Sequence, residues 1–493
     1  MRRTLALLLF AIAGIAQTID RAALDSIIED TRKAFSAPGV AVAVVKDDAT
    51  VYAKGFGLRK LGAPEPVTPD TRMAIGSTSK AFTTAAMAIL VDEKKMDWDD
   101  PVRKHLPYFR LSDPLADANV TMRDIVCHRT GYSRHDALWY RTTLSREEII
   151  RKLEFIPLTK PFRSLYQYQN IMFLSAGESV GRIAGGTWED FVAARLFAPL
   201  GMTNSDFSVR DLAKASDAAA AHVKRPSGEV EAIPYCNIDN IAPAGSINSS
   251  VRDLSNWVRM HLSGGMFGEK RVVSAKQIAE LHAPQTVVRP DATARDLNPA
   301  NQMSYGLGWM IQDYRGHHMV SHGGAIDGFR AQVTLMPEEK LGVVVLANLG
   351  GNNMPEALRY AIVDSVLGLP KKDWNTTYLA AAAKQEAETE KRRAEEIAKR
   401  KADATPSRGL AAYAGAFESK AYGPVKVVES SGKLSLEWAG WQFGLSHWHY
   451  NTFMASAPSQ RDPSPVLFVL GTNGNVRAVE FLGQEFGRKE TKE

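Results

Sequence analysis

Cysteine is almost missing from this chain: Cys127 and Cys236 are the only two in 493 residues. A pair so far apart is no disulfide framework, so a packed core must hold the fold. Two buried free thiols are expected, with one bridge as the alternative. An excess of one charge is missing too. Sixty basic residues against 55 acidic ones leave a net charge of +5, which is no signature of nucleic-acid binding. Past the first residues, no apolar run approaches the ~20 residues that a membrane helix needs. Internal repeats and heptads are not found. His-Glu-x-x-His and Cys-x-x-Cys pairs are also missing, so the neighbouring His317-His318 does not make a metal site, and neither metal nor cofactor is expected. We read no Gly-x-Ser-x-Gly elbow either, which argues against an α/β-hydrolase.

What is present begins with Met1-Arg2-Arg3, an apolar run over 5–13 and the small residues Gly14-Ile15-Ala16. That layout predicts a cleaved signal peptide over 1–16 and a secreted or periplasmic protein with no remaining membrane span. Its removal would lower the net charge to about +3. The remaining chain, 45% hydrophobic over the full sequence, is long enough for two or three packed units.

Turn chemistry and apolar patterning outline those units. Strand-like stretches at 40–45 and 51–55 flank Lys46-Asp47-Asp48 and predict a hairpin. Further strand-like runs return at 318–322, 329–336 and 341–347, followed by a periodic helix at 356–367. Between the two blocks the pattern is mostly helical, at 80–91, 146–153, 170–183 and 188–197. One sheet built from both ends of a domain spanning 20–370, with a helical insertion, accounts for this order. Residues 371–405 read as a charged helical linker. Short strands separated by Ser430-Ser431-Gly432 and Thr472-Asn473-Gly474-Asn475 predict a small all-β domain over 406–493.

The chemistry centres on Ser77-Thr78-Ser79-Lys80 at the start of a strongly apolar helix. Ser77 and Lys80 stand at i and i+3 and share a face. Among apolar neighbours, near a positive helix N-terminus, an ammonium at Lys80 is disfavoured, and the neutral amine can take the proton of Ser77. The N–H of Ser77 suits an oxyanion. A Ser-x-x-Lys string is weak by itself, and Ser430 to Lys433 repeats it in a glycine-containing turn, where the lysine is not held on one helical face. Tyr168-Gln169-Asn170 precedes another apolar helix. Tyr168 is expected to share general-base work with Lys80 and then protonate the leaving group, with Asn170 bonding Lys80 or a substrate carbonyl. Tyr235-Cys236-Asn237 repeats that spacing without the helix and reads as a rim or core element. His322-Gly323-Gly324-Ala325 ends a strand-like run. Gly323 and Gly324 admit a close substrate, the Ala325 N–H completes an oxyanion hole, and His322 orients a substrate carboxylate or bonds the Tyr168 and Lys80 cluster.

In that order, Ser-x-x-Lys, Tyr-x-Asn and His-x-Gly resemble the class C β-lactamase-like superfamily of penicillin-binding DD-peptidases, D-aminopeptidases, esterases and CubicO-type peptidases. His128-Arg129-Thr130-Gly131, Pro199-Leu200-Gly201-Met202-Thr203, the 242–250 stretch and Tyr305-Gly306-Leu307-Gly308-Trp309 add to the likeness. It implies an α/β (α+β) fold with an antiparallel sheet flanked by helices. It also implies an acyl-enzyme on Ser77, with Lys80 and Tyr168 handling protons, Asn170 in support, and an oxyanion hole at Ser77 and Ala325. The tail after Leu410 is similar to a lipocalin-like barrel. One departure bears on substrate: His322-Gly323-Gly324 stands where β-lactamases and DD-peptidases carry Lys-Thr-Gly. Losing a charge-assisted hydrogen bond to a substrate carboxylate costs on the order of 1.5–3 kcal/mol. The expectation is therefore a peptidase, amidase or esterase acting on a small-molecule or peptide substrate, with a homo-oligomer open. The alternatives are a catalytically retired scaffold and a true β-lactamase or DD-peptidase.

Overall fold

The computed structural model describes residues 19–289, 297–457 and 462–489. The expected signal segment, 1–16, lies outside them. Its main sheet has eight antiparallel strands, in the order Ala49–Gly57, Gly39–Lys46, Leu341–Ala347, Phe329–Met336, His317–Ile326, Met310–Tyr314, Met303–Tyr305 and Thr286–Val287. The two chain ends meet where Val40 pairs with Ala347 and Lys46 with Leu341. Both faces of this seam are buried, which explains why 40–45 is a continuous apolar run and not an alternating one. Val40, Val42 and Val44 join one core and Ala41, Ala43 and Val45 the other. The turn between the first two strands places Asp47 and Asp48 at φ of 49° and 61°, the two positive values that a tight two-residue hairpin requires.

Helices Arg21–Ala34 and Met354–Leu367 cover one face of the sheet. On the other lies the helical insertion, including Ser79–Asp92, Asn170–Ala184 and Val251–Leu262. The helix Ser79–Asp92 is buried all round, from Ser79 to Leu90, which fixes both its rotation and its depth.

The helix Trp374–Ala398 follows, exposed over most of its length. Its first turns are docked. Trp374 stacks on Tyr360 at 4.6 Å and its indole N–H donates to Asp364. Eight strands between Gly415 and Arg488 then close into a barrel, sealed where Gly415–Ser419 meets Gln484–Arg488. Alternate residues such as Val425, Val427, Leu434, Leu436, Trp438, Phe453 and Phe468 fill its interior.

Candidate active site

Ser77 sits in the one-turn 3₁₀ segment Gly76–Thr78 that leads into helix Ser79–Asp92. The turn is tied down from two sides. Ile75 N–H donates to the Ile247 carbonyl, and the Ser79 hydroxyl donates to Gly76 O while accepting from Ile247 N–H. Gly76 has φ of +52°, and a Cβ there would stand 2.6 Å from the Ala325 nitrogen. A Cβ on Gly324 would collide with the Ile75 carbonyl oxygen. These glycines let the end of strand His317–Ile326 lie directly on the turn, so Ala325 comes against Gly76, the residue before Ser77.

Lys80 is wholly buried. Its Nζ lies 3.1 Å from Ser77 Oγ, 2.8 Å from Asn170 Oδ1 and 2.7 Å from the Ala244 carbonyl. Burial, reinforced by the Arg134 charge and only partly opposed by Asp136, holds its pKa well below the ordinary lysine value. A neutral amine has two hydrogens and one lone pair. Asn170 Oδ1 and Ala244 O can only accept, so they take both hydrogens, and the lone pair is left for the Ser77 hydroxyl. The orientation of the Asn170 amide is set by Asp136, whose Oδ1 accepts from Asn170 Nδ2 at 2.9 Å and from Trp139 Nε1 at 2.8 Å. Its Oδ2 accepts from Arg134 Nε at 2.6 Å. Gln169, not Asn170, caps helix Asn170–Ala184 by accepting from Ile171 N–H, which frees Asn170 to reach Lys80.

Tyr168 packs its ring 4.8 Å from Lys80 Nζ and 4.9 Å from the Arg134 guanidinium. Loss of hydration raises its phenol well above the usual value, outweighing the lowering effects of Ser77 and Arg134. The two shifts run in opposite senses: each favours the uncharged form of its group, the phenol of Tyr168 and the amine of Lys80. His128 holds the tyrosine from both flanks: its Nδ1 accepts from Gln169 N–H and its carbonyl from Gln167 N–H.

His322 is buried, with both ring nitrogens engaged inside the protein. Nδ1 lies 2.7 Å from the Gly323 carbonyl and must donate, so Nε2 accepts from the Tyr305 hydroxyl at 2.9 Å. Burial is the main cause that lowers its pKa to about 3. Neither nitrogen is bonded to Tyr168 or Lys80, and neither is free for a substrate carboxylate.

The other sequence candidates fall elsewhere. Ser430 and Lys433 face each other across an exposed hairpin turn. The Tyr235 hydroxyl donates to Ala219 O in the core rim. Gly177-Glu178-Ser179-Val180-Gly181 does match Gly-x-Ser-x-Gly, contrary to the expectation that none is present, but it lies inside helix Asn170–Ala184. There the Ser179 hydroxyl is buried and bonded to Ser175 O, so it forms no elbow. Cys127 and Cys236 are buried and unbridged. Among the described residues no cluster of three or more His, Cys, Asp or Glu could hold a metal. Asp136, Arg134 and His128 are site residues that the sequence reading did not assign. For His128 the signal was its place in His128-Arg129-Thr130-Gly131; the loop holding the other two has no pattern.

Known proteins carry the same architecture. The chain is 29% identical over 469 residues to the unguisins hydrolase ungD of Aspergillus violaceofuscus, covering 85% of this chain and 80% of the relative. An octameric penicillin-binding protein homologue from Pyrococcus abyssi superposes with a TM-score of 0.64 at 22% identity, covering 95% of this chain and 99% of that one. D-amino acid amidase from Ochrobactrum anthropi superposes with a TM-score of 0.57 at 20% identity, over 70% of this chain and 97% of the amidase. Residues 399–492 match a domain of unknown function, DUF3471. The Beta-lactamase family model matches residues 24–367, and with that span holding the sheet, the helical insertion and Ser77, the chain is a hydrolase-fold protein belonging to the Beta-lactamase family.

Proposed function

We propose that the protein is a serine acyl hydrolase working through a covalent acyl-enzyme on Ser77. The observation that carries this reading is the buried Lys80, its amine within hydrogen-bond distance of Ser77 Oγ, Asn170 Oδ1 and the Ala244 carbonyl; with its pKa depressed, the two carbonyl oxygens take the hydrogens of a neutral amine and leave the lone pair to Ser77. In this reading Lys80 accepts the hydroxyl proton as Ser77 Oγ attacks the acyl carbonyl. The N–H groups of Ser77 and Ala325 hold the oxyanion. The neutral phenol of Tyr168 protonates the departing alcohol or amine and regains its proton from Lys80; water then releases the acyl group by the reverse relay.

Substrate choice follows from the strand opposite. His322 has both nitrogens occupied and Gly323 and Gly324 offer no side chain, so the strand lacks the cation and hydroxyl that anchor a β-lactam carboxylate. Esters, amides and short peptides are the favoured class, consistent with relatives named as a hydrolase and a D-amino acid amidase. We place the protein outside the cytoplasm on the strength of its N-terminal sequence, and an oligomer is consistent with the octameric fold neighbour. A fluorophosphonate probe should label the wild type and fail on Ser77→Ala, with p-nitrophenyl acetate turned over and nitrocefin hydrolysed weakly or not at all. Labelling that survives Ser77→Ala would sink the mechanism, and rapid nitrocefin hydrolysis would overturn the substrate assignment.

A further inference from the structure

The segment 133–143 has little regular structure, yet two of its non-glycine residues, His135 and Arg141, sit at φ of 47° and 55°. Such backbone persists only where contacts hold it. On one side those contacts come from the barrel. The Tyr422 hydroxyl lies 2.9 Å from His135 Nδ1, and Ser133 Oγ holds the other ring nitrogen at 3.0 Å. Tyr422 is itself rigid: it is buried, stacked on Trp438, and its carbonyl accepts from the Trp438 indole N–H. Further along, the Trp441 ring packs against Tyr140 at 6.4 Å.

The same segment ends in the catalytic machinery. Arg134 and Asp136 flank His135 in sequence. Arg134 lies over Tyr168, and Asp136 sets the Asn170 amide that takes a hydrogen from Lys80. Tyr140 and Arg141 donate to Asp327 at 2.6 and 2.8 Å. Asp327 directly follows the strand His317–Ile326 that presents Ala325.

We infer that the C-terminal barrel is a working part of the active site: through Tyr422 and Trp441 it clamps segment 133–143, and so holds the Asp136–Asn170–Lys80 chain and the Ala325 strand end in register with Ser77. This rests on the acyl-hydrolase reading and gives Tyr422 the part of a positioning residue. The barrel needs no ligand for this role. The segment is a strut between the two domains, and the barrel's rigidity is what it transmits.

The test uses the full-length protein with Tyr422→Phe, which removes one oxygen and keeps the ring packing. Hydrogen exchange of peptides spanning 133–143 should accelerate, with melting of the whole protein little changed. For p-nitrophenyl acetate, kcat and the fluorophosphonate labelling rate should fall about tenfold while KM stays within about twofold, as expected when a buried hydrogen-bond partner is removed from the support of a base. Combined with Asp136→Asn the losses should fall short of multiplicative, because both changes act on one chain of contacts. Unchanged exchange at 133–143, or unchanged kcat with a folded variant, overturns the clamp. A rise in KM alone also overturns it, since the barrel would then be a substrate wall. Exchange reports on the clamp even if wild type fails to label, so failure of the hydrolase reading is told apart from failure of this one.

Discussion

Moving one negative charge by one side chain tests the core of the mechanism. Asp136→Asn together with Asn170→Asp keeps the net charge and the number of hydrogen-bonding groups, but brings the carboxylate from behind Asn170 to contact with Lys80. The separation is 2.8 Å, the present distance from Nζ to Asn170 Oδ1. At an effective dielectric of about 20, unit charges at that distance attract by roughly 6 kcal/mol, or about 4 pK units. Part of this replaces the attraction that Asp136 already exerts on Lys80, so a net rise of about 2 units is a fair expectation. The amine facing Ser77 then keeps its proton to a higher pH. The profile of kcat/KM for p-nitrophenyl acetate against pH should move its acid limb about 2 units upward, with activity falling tenfold per pH unit below the new limb. KM should change little, because neither residue touches the acyl group. An acid limb in the wild-type position, in a folded double variant, would refute the neutral amine as the base.

Two further outcomes follow from the same geometry. Lys80 binds its proton less readily folded than unfolded, so the unfolded chain holds more protons between that depressed pKa and about 10.4, and stability climbs with pH across this window. Lys80→Met should abolish the climb, and denaturation curves of wild type and variant that stay parallel from pH 7 to 9 would contradict it. Gly324→Ala forces a methyl group into the Ile75 carbonyl; a loss of about 1–3 kcal/mol in chemical denaturation is expected, with activity falling further than stability because Ala325 is displaced. Full activity in that variant would remove Ala325 from the oxyanion hole.

The legible parts of this protein are those where function and packing coincide in one short segment. Ser77 and Lys80 stood out because the helix behind them is apolar on every side, a pattern that burial alone produces. The hairpin at Asp47-Asp48 and the valine-rich strand beside it were readable for a similar reason. Strands Thr286–Val287, Met303–Tyr305 and Met310–Tyr314 were not named, because two to five residues carry no period; the same is true of the two strands that close the barrel. Residue type suggested a role for His322, but only the positions of Tyr305 and the Gly323 carbonyl determine its tautomer and occupy both nitrogens. Asp136 was invisible because its importance lies in a contact with Asn170, 34 positions away, within a loop that has no pattern to read.

The seam where Val40 meets Ala347 also bears on when the site is assembled during synthesis. The strand that leads the catalytic domain waits for its neighbour, which is made last. At about 5–20 residues per second, synthesis leaves the Ser77 turn without its facing strand for tens of seconds. During that interval the hydroxyl has no Ala325 beside it, and Lys80, not yet buried, keeps its proton. On the acyl-hydrolase reading, Ser77 therefore leaves the ribosome without its base or its oxyanion donor, and gains both only when the far end of the domain arrives to complete the sheet.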